Sequence, residues 1–256
     1  MMGSVHITNQ CNLRCHYCYE DDKIDKDRPV FIIGNDELGE RIDKLLSMGI
    51  DFIEIIGGEP LLFPHTVRDA IELIDKKAKI GISTNGTVSN QFILDMFHKY
   101  RPLVAVSCDS PGSTEQFRRG MDLDLVMRNI KVWGEITEVI VTMTVHPGNI
   151  NEMVDGFKFM NSNGISGVHF GVVVEWMNDY YWNKYTENAV EILKINKKMG
   201  WKVNLTPWMD YSPFKKEIVS DKGVELLQIF HPANDDTKYG KIKSMINEIY
   251  KTLREV

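Results

Sequence analysis

Short runs of β-branched and aliphatic residues alternate along the chain with longer stretches that repeat apolar residues at helical spacing. The apolar runs predict six strands, at 3–8, 52–56, 79–84, 103–107, 138–145 and 167–174. The stretches between and after them predict six helices, at 36–49, 65–78, 89–100, 123–135, 149–164 and 183–200. Six successive strand–helix units indicate an α/β fold with parallel strands and right-handed crossovers.

The number of strand–helix units decides between the common parallel-sheet architectures. Six units are too few for a complete eight-stranded barrel, so the pattern favours a partial (β/α)6 TIM-like barrel with its active site at the C-terminal ends of the strands. A doubly wound open sheet is the alternative, because almost wholly apolar strands suit any parallel sheet that is covered on both faces.

The pattern weakens after residue 200. Residues 201–208 predict a further strand and residues 240–256 predict a terminal helix, whereas 211–236 give no clear signal. We therefore expect a barrel core over 1–200 and a short C-terminal extension over 201–256 that packs on the barrel.

Composition narrows the class of protein. Hydrophobic residues make up 43% of the chain, which is enough to bury a sizeable core and excludes a disordered chain. The net charge of -6, without a basic stripe, speaks against a nucleic-acid partner. The sequence has no run of 18 apolar residues and no signal-peptide pattern at its N-terminus, so we expect a cytoplasmic protein without membrane contact.

Three of the four cysteines lie within eight positions, immediately after the first predicted strand. Cys11, Cys15 and Cys18 are too crowded for a disulfide framework, which favours metal ligation. Three thiolates would leave one iron of a four-iron cluster open for another ligand. A zinc site, with His16 or a distant histidine as the fourth ligand, is the alternative.

The C-x3-C-x2-C spacing, with Tyr17 as the aromatic residue before the third cysteine, resembles the signature loop of the radical S-adenosylmethionine (radical SAM) superfamily. Gly57-Gly58-Glu59-Pro60, at the end of the second strand, resembles the GGEP element of that family, which binds the amino group of the cofactor's methionine moiety. Glycines would let backbone carbonyls approach a cation, and Glu59 would add an acceptor.

Further polar clusters follow the third and fourth strands. Thr84 and Asn85 match the Thr-Asn-Gly element of the family, which implies a place near the ribose. The peptide- and protein-modifying branch has Ser-x-Asp-Gly-Pro, followed twelve residues after the serine by arginine and glycine. Ser107 and Arg119 match that spacing and by resemblance would hold the cofactor's carboxylate, although Ser110 stands where the branch has glycine.

The resemblance implies an oxidoreductase-type enzyme with one 4Fe-4S cluster, held by the three cysteines, and S-adenosylmethionine. One electron, from a reductant such as flavodoxin or ferredoxin, would cleave S-adenosylmethionine to methionine and a 5'-deoxyadenosyl radical that abstracts hydrogen from the substrate. No residue is identified as catalytic beyond these ligands. A non-enzymatic iron–sulfur or zinc module is the alternative, but it would leave the GGEP element and Arg119 without a role.

The substrate is the least constrained expectation. After Cys18 the sequence contains only Cys108, which we expect to pack in the core, so no auxiliary cluster can be assembled from these thiols. The 107–119 segment favours modification of a peptide or protein, by epimerisation or crosslinking. A glycyl-radical enzyme activase and an enzyme acting on a small metabolite or nucleoside are the alternatives. The aromatic segment 175–182 is expected either to contact substrate or to pack on the core.

Overall fold

The structure, a computed structural model, describes residues 2–18, 30–165, 167–173, 176–196, 200, 202–205, 215–221, 224–230 and 251. The chain divides into two compact units. The first comprises residues 1–108 and 114–140, and the second comprises 109–113 and 141–256. Within the part of the chain that is described, no helix has the length and apolar character needed to span a membrane.

Strands and helices alternate as the sequence predicts, which confirms the α/β class. The strands are β1 (Met2–His6), β2 (Arg14–Cys15), β3 (Phe52–Ile56), β4 (Lys79–Thr84), β5 (Leu103–Ser107), β6 (Arg118–Arg119), β7 (Val139–Val145), β8 (Gly167–Val172), β9 (Lys202–Asn204), β10 (Lys215–Asp221) and β11 (Val224–Phe230). The helices are α1 (Asn35–Ser47), α2 (Pro64–Ile74), α3 (Gln91–Tyr100), α4 (Pro111–Phe117), α5 (Leu123–Gly134), α6 (Met153–Ser162) and α7 (Asp179–Asn196).

In the first unit, β1, β3, β4 and β5 pair in parallel in that order. Their residues alternate between a face covered by helices and an inner face. Gly3 lies on the covered face, where an added Cβ would come within 2.9 Å of Leu45 of α1. Its register partner Ile53 is fully buried on the same face. The inner face carries the alternate residues, including Glu54 of β3.

The second unit contains β7, β8 and β9, which pair in parallel in that order, and β11, which pairs in parallel with β9. β10 and β11 form an antiparallel hairpin within the stretch for which the sequence gives no clear signal. β9 confirms the further strand predicted in 201–208, whereas the predicted terminal helix at 240–256 lies almost entirely outside the described residues. The division into a 1–200 core and a 201–256 extension stays a prediction.

Three small elements near the candidate site are absent from the sequence-based expectation. The two-residue strands β2 and β6 pair antiparallel, with Arg14 opposite Arg119 and Cys15 opposite Arg118. The seven-residue helix α4 precedes β6. Hydrophobic periodicity cannot detect a two-residue strand, because a period needs several repeats to become visible.

Candidate active site

The cysteine-containing loop is held at both ends by backbone pairing. Cys11 follows β1 after a short connection, and the buried side chain of Leu13 anchors the chain between the first two cysteines. Cys15 belongs to β2 and is the register partner of Arg118 in β6. The backbone N–H of Cys18 donates to the carbonyl of Cys15 at 3.2 Å and closes a turn. The structure therefore brings all three cysteines into one compact loop.

The Cys11 thiol lies in a partly buried environment with hydrogen-bond donors. Its Sγ accepts from the backbone N–H of Leu13 at 3.4 Å and from the Asn85 side-chain amide at 3.8 Å. Burial raises the pKa of the thiol, and the charges of Glu59 and Cys18 raise it further, while both donors act in the opposite direction. A thiolate here is costly without a positive partner, and metal coordination supplies one.

Donor chemistry at this loop fits an iron–sulfur cluster. Three thiols with N–H donors directed at one sulfur are the ligand type that such clusters use. Among the described residues, no three His, Cys, Asp or Glu side chains lie close enough together to hold a single metal ion. An iron–sulfur cluster does not require the three thiolates to be that close together, because each thiolate binds a different iron.

The two glycines of the GGEP element are required by backbone contact with the segment that leads into the cysteine loop. An added Cβ would lie 2.5 Å from the Thr8 carbonyl oxygen at Gly57, and 2.3 Å from that of Gln10 at Gly58. Two hydrogen bonds join the segments: Gly58 N–H donates to Thr8 O at 2.8 Å, and Glu59 N–H donates to Gln10 O at 2.7 Å. The sequence reasoning assigned the glycines to cofactor approach and missed this contact.

Glu59 is a fully buried carboxylate that connects the ends of two strands. Oε1 accepts from the Thr84 hydroxyl at 2.7 Å and from the Leu61 backbone N–H at 2.9 Å. Oε2 accepts from the Asn85 backbone N–H at 2.6 Å. Burial raises the pKa of Glu59 to about 7 against the effect of these donors. Glu59 thus joins the start of the GGEP turn to the end of β4 by hydrogen bonds, and Pro60, the next residue, begins a short 3₁₀ turn.

Thr84 and Asn85 lie at the end of β4 and take different positions. The Thr84 hydroxyl is buried against Glu59. Asn85 points the other way, and its amide donates to Asn12 at 2.9 Å as well as to the Cys11 sulfur. Asn85 therefore links the GGEP element to the cysteine loop. Its contact with the cysteine loop was not expected from the sequence.

Tyr17 and Arg119 lie on opposite sides of the β2–β6 pair. The buried guanidinium of Arg118 stacks over the Tyr17 ring, with 5.3 Å between Cζ and the ring centroid. Arg119 is exposed, beside Arg14 of the loop. The sequence did not single out Arg118. Its only signal was its position next to Arg119.

Ser107 is half-buried at the end of β5, on the inner face of the first unit. Ser110 belongs to the second unit, where its hydroxyl hydrogen-bonds the Glu152 carboxylate. The same carboxylate accepts from the Ser113 backbone N–H at 3.0 Å and from its hydroxyl at 2.9 Å. Serine at position 110, in place of the family's glycine, thus gains a local partner that glycine could not have.

The remaining candidates divide between core and surface. Cys108 is fully buried, as expected for a core residue. In the aromatic segment, Trp182 packs in the core while Trp176 and Tyr180 are exposed. A contact of this segment with substrate stays a prediction. Glu175, at its start, lies outside the described residues. His146 is buried, with its ring against that of Trp176 at 5.7 Å.

Comparison with known proteins identifies the family. The sequence profile described as the Radical SAM superfamily matches residues 5–160, which is more than half of the chain. A GTP 3',8-cyclase of Synechocystis is 30% identical over 68% of this chain and 46% of that protein. A probable GTP 3',8-cyclase of Methanococcus aeolicus is 27% identical over 87% of this chain and 74% of that protein. The chain thus spans about half of the first relative and about three quarters of the second.

Solved structures show the same fold at lower sequence identity. The structure of anSMEcpe with bound AdoMet aligns with a TM-score of 0.63 at 18% identity, over 77% of this chain and 60% of that one. Streptococcus suis SuiB bound to precursor peptide SuiA aligns with a TM-score of 0.65 at 13% identity, over 79% of this chain and 47% of that one. These similarities confirm the partial TIM-like barrel. The chain belongs to the radical SAM superfamily, the enzymes whose cofactors are a 4Fe-4S cluster and S-adenosylmethionine.

Proposed function

We propose that Cys11, Cys15 and Cys18 hold the 4Fe-4S cluster and that the neighbouring strand ends bind S-adenosylmethionine. The observation that carries this proposal is the attachment of the cysteine loop to the GGEP element by two backbone hydrogen bonds, of 2.8 and 2.7 Å. Those bonds fix the ligands of the cluster against the element that the family uses for the cofactor. A second support is the β2–β6 pair, which joins the loop to the strand that contains Arg119.

Held by these residues, the cluster and S-adenosylmethionine would supply radical chemistry that removes a hydrogen atom from the substrate. The residues of the protein would bind S-adenosylmethionine and orient it. Exposed Arg119 offers a guanidinium fork to the cofactor's carboxylate, with the Ser107 hydroxyl as a second donor. Glu59 holds the backbone of Asn85 and the 3₁₀ turn in place. Backbone carbonyls near the glycines would accept from the cofactor's amino group, as the resemblance to the family implies.

An external electron donor is part of the proposal. Arg14 and Arg119 lie opposite each other on the β2–β6 pair, and both are exposed. With Arg119 paired to the cofactor's carboxylate, Arg14 keeps its positive charge beside the cysteine loop and would attract an acidic electron carrier, such as a flavodoxin or ferredoxin, at low ionic strength. Raising the salt concentration should therefore slow reduction by the protein carrier much more than reduction by the small anion dithionite, which does not dock on a protein surface.

Two substrate classes are candidates, each with its own support. Similarity to GTP 3',8-cyclases over most of this chain favours a guanine nucleotide. The Ser107-to-Arg119 spacing favours a peptide, although the peptide-bound neighbour shares only 13% identity and supports the fold alone. The similarity to relatives carries more weight, because it rests on higher sequence identity, so we place the nucleotide first.

The test uses the full chain after anaerobic reconstitution with iron and sulfide. Reduced protein is incubated with S-adenosylmethionine alone, with GTP, or with candidate peptides, and 5'-deoxyadenosine is measured. We expect about four irons per chain, with deoxyadenosine formation that rises with a true substrate. A chain that binds zinc but no iron, or that cleaves no S-adenosylmethionine, contradicts the proposal. Stimulation by peptides and not by GTP reverses the order of the two substrates.

A further inference from the structure

A second buried carboxylate, Glu54, lies on the inner face of the first unit and has no role in the cofactor site. Its side chain is 8% exposed. Within the described residues it accepts one hydrogen bond, from the Ser83 hydroxyl at 2.5 Å, and forms no salt bridge. Burial raises its pKa, and Ser83 opposes that effect. Glu59 by contrast has three donors.

Burying a carboxylate that has only one neutral hydrogen-bond donor lowers the free energy of unfolding of the protein. A carboxylate has about four acceptor positions, and Ser83 occupies one of them. Burying ionised groups without compensation disfavours folding, so such groups are normally paired. The second oxygen of Glu54 is not among the fully buried polar atoms that lack a partner, so it keeps a share of the residual exposure. This oxygen is therefore not completely enclosed by protein atoms.

Glu54 has an aromatic neighbour on the same face of the sheet, the ring of Phe52. Gly81 of β4 is its register partner, and an added Cβ there would lie 2.7 Å from the Phe52 ring and 3.5 Å from Glu54 Cγ. The absence of a side chain at Gly81 lets both groups extend over β4. On the other side, the register partner Ser4 is exposed, so this part of the inner face is open.

Glu54 also lies at a useful depth below the proposed cofactor site. It is on the same face as Ser107, and Gly57 lies three positions further along the chain. At about 3.3 Å per residue, the carboxylate is set about 10 Å below the strand ends. A substrate held there by one end would place its other end at the rim where the cofactor residues lie.

We propose that Glu54 binds the substrate of this enzyme through a planar group with paired N–H donors, as presented by a guanidinium or by the amino edge of guanine. Carboxylates pair with such groups through two parallel hydrogen bonds, and the Phe52 ring offers a face to the same planar group. The inference rests on the proposed function for its site. It deepens that function, because the donor pair is common to both candidate substrate classes.

The experiment compares wild-type and Glu54→Gln holoenzyme, with cluster and S-adenosylmethionine bound, by isothermal titration calorimetry. The probes are GTP against ITP, which lacks the 2-amino donor, and acetyl-arginine amide against acetyl-citrulline amide, which lacks the charge. We expect wild type to bind GTP or the arginine compound about tenfold to a hundredfold more tightly than its matched analogue. Glu54→Gln should abolish that preference. The probe preferred identifies the source of the N–H donors.

Controls separate this inference from a structural role and from the proposed function. Glu37→Gln removes an exposed carboxylate on α1 and should keep the preference. Glu54→Gln should unfold at a temperature no lower than wild type, because it removes a buried charge. The inference is overturned if wild type shows no preference in either pair, if the variant keeps it, or if the variant is clearly less stable. Failure of the proposed function would show separately, as wild type that cannot cleave S-adenosylmethionine.

Discussion

Replacing Gly58 by alanine tests whether the GGEP glycines serve the cysteine loop. The new Cβ would lie 2.3 Å from the Gln10 carbonyl oxygen, against 3.4 Å for an ordinary contact, so the backbone must shift by about 1 Å. The obstacle is backbone, which cannot rotate away. Loss of the two hydrogen bonds at Thr8 and Gln10 costs about 1 kcal/mol each, and steric strain adds about 1–3 kcal/mol. We expect a total of about 3–5 kcal/mol.

That loss corresponds to a fall in melting temperature of about 6–20 °C for a chain of this length. The assay is thermal unfolding of the metal-free protein by circular dichroism, followed by iron and sulfide analysis after reconstitution. Iron content should fall as well, because Gln10 directly precedes Cys11. The matched control is Gly39→Ala in α1, where an added Cβ meets nothing within 4 Å. It should raise stability by about 0.5–1 kcal/mol. A Gly58→Ala protein with wild-type melting temperature and full iron content would refute the reasoning.

Three further predictions concern the same site. Cys15→Ala should abolish the four-iron cluster measured by iron analysis and visible absorbance, whereas Cys108→Ala should keep the iron content and lower only stability. Burial raises the pKa of Glu59 from its ordinary 4.5 to about 7, so the folded chain binds this proton more strongly than the unfolded chain. The stability of the metal-free chain should therefore fall as the pH rises between these two values. Glu59→Gln should remove this dependence of stability on pH, measured by denaturant titration at several pH values. An unchanged dependence would show that another group causes it. Arg118→Ala should speed iron loss to a chelator about twofold to tenfold through the lost cation–π contact. Arg119→Ala should weaken S-adenosylmethionine binding without that acceleration, and the reverse pattern would contradict the two roles.

The sequence pattern was sufficient to predict the strands and helices in which apolar residues recur at regular spacing. The strand at 52–56 and the helix around 65–78 have several apolar residues at regular spacing, and the structure places elements there. The cysteines and the GGEP element were found because their spacing along the chain is short and distinctive. Such signals are local, so a sequence displays them directly.

Contacts between distant segments were the part that sequence could not provide. The approach of Gly58 to Gln10 and the stacking of Arg118 on Tyr17 join residues about 50 and 100 positions apart, without any repeated pattern. Glu54 was missed for another reason. A single acidic residue within FIEII gives no sign of whether its side chain faces helices or the inner face until the register of β1 and β3 is known.

The pairing of Arg14 with Arg119 has a consequence for biosynthesis of the protein. The strand that pairs with the cysteine loop is made about a hundred residues after the cysteines themselves. Contacts between such distant segments form late, after the intervening strands and helices have assembled. Cluster insertion should therefore follow synthesis of most of the first unit. During that interval the three thiols depend on cellular carriers and reductants for protection from oxygen.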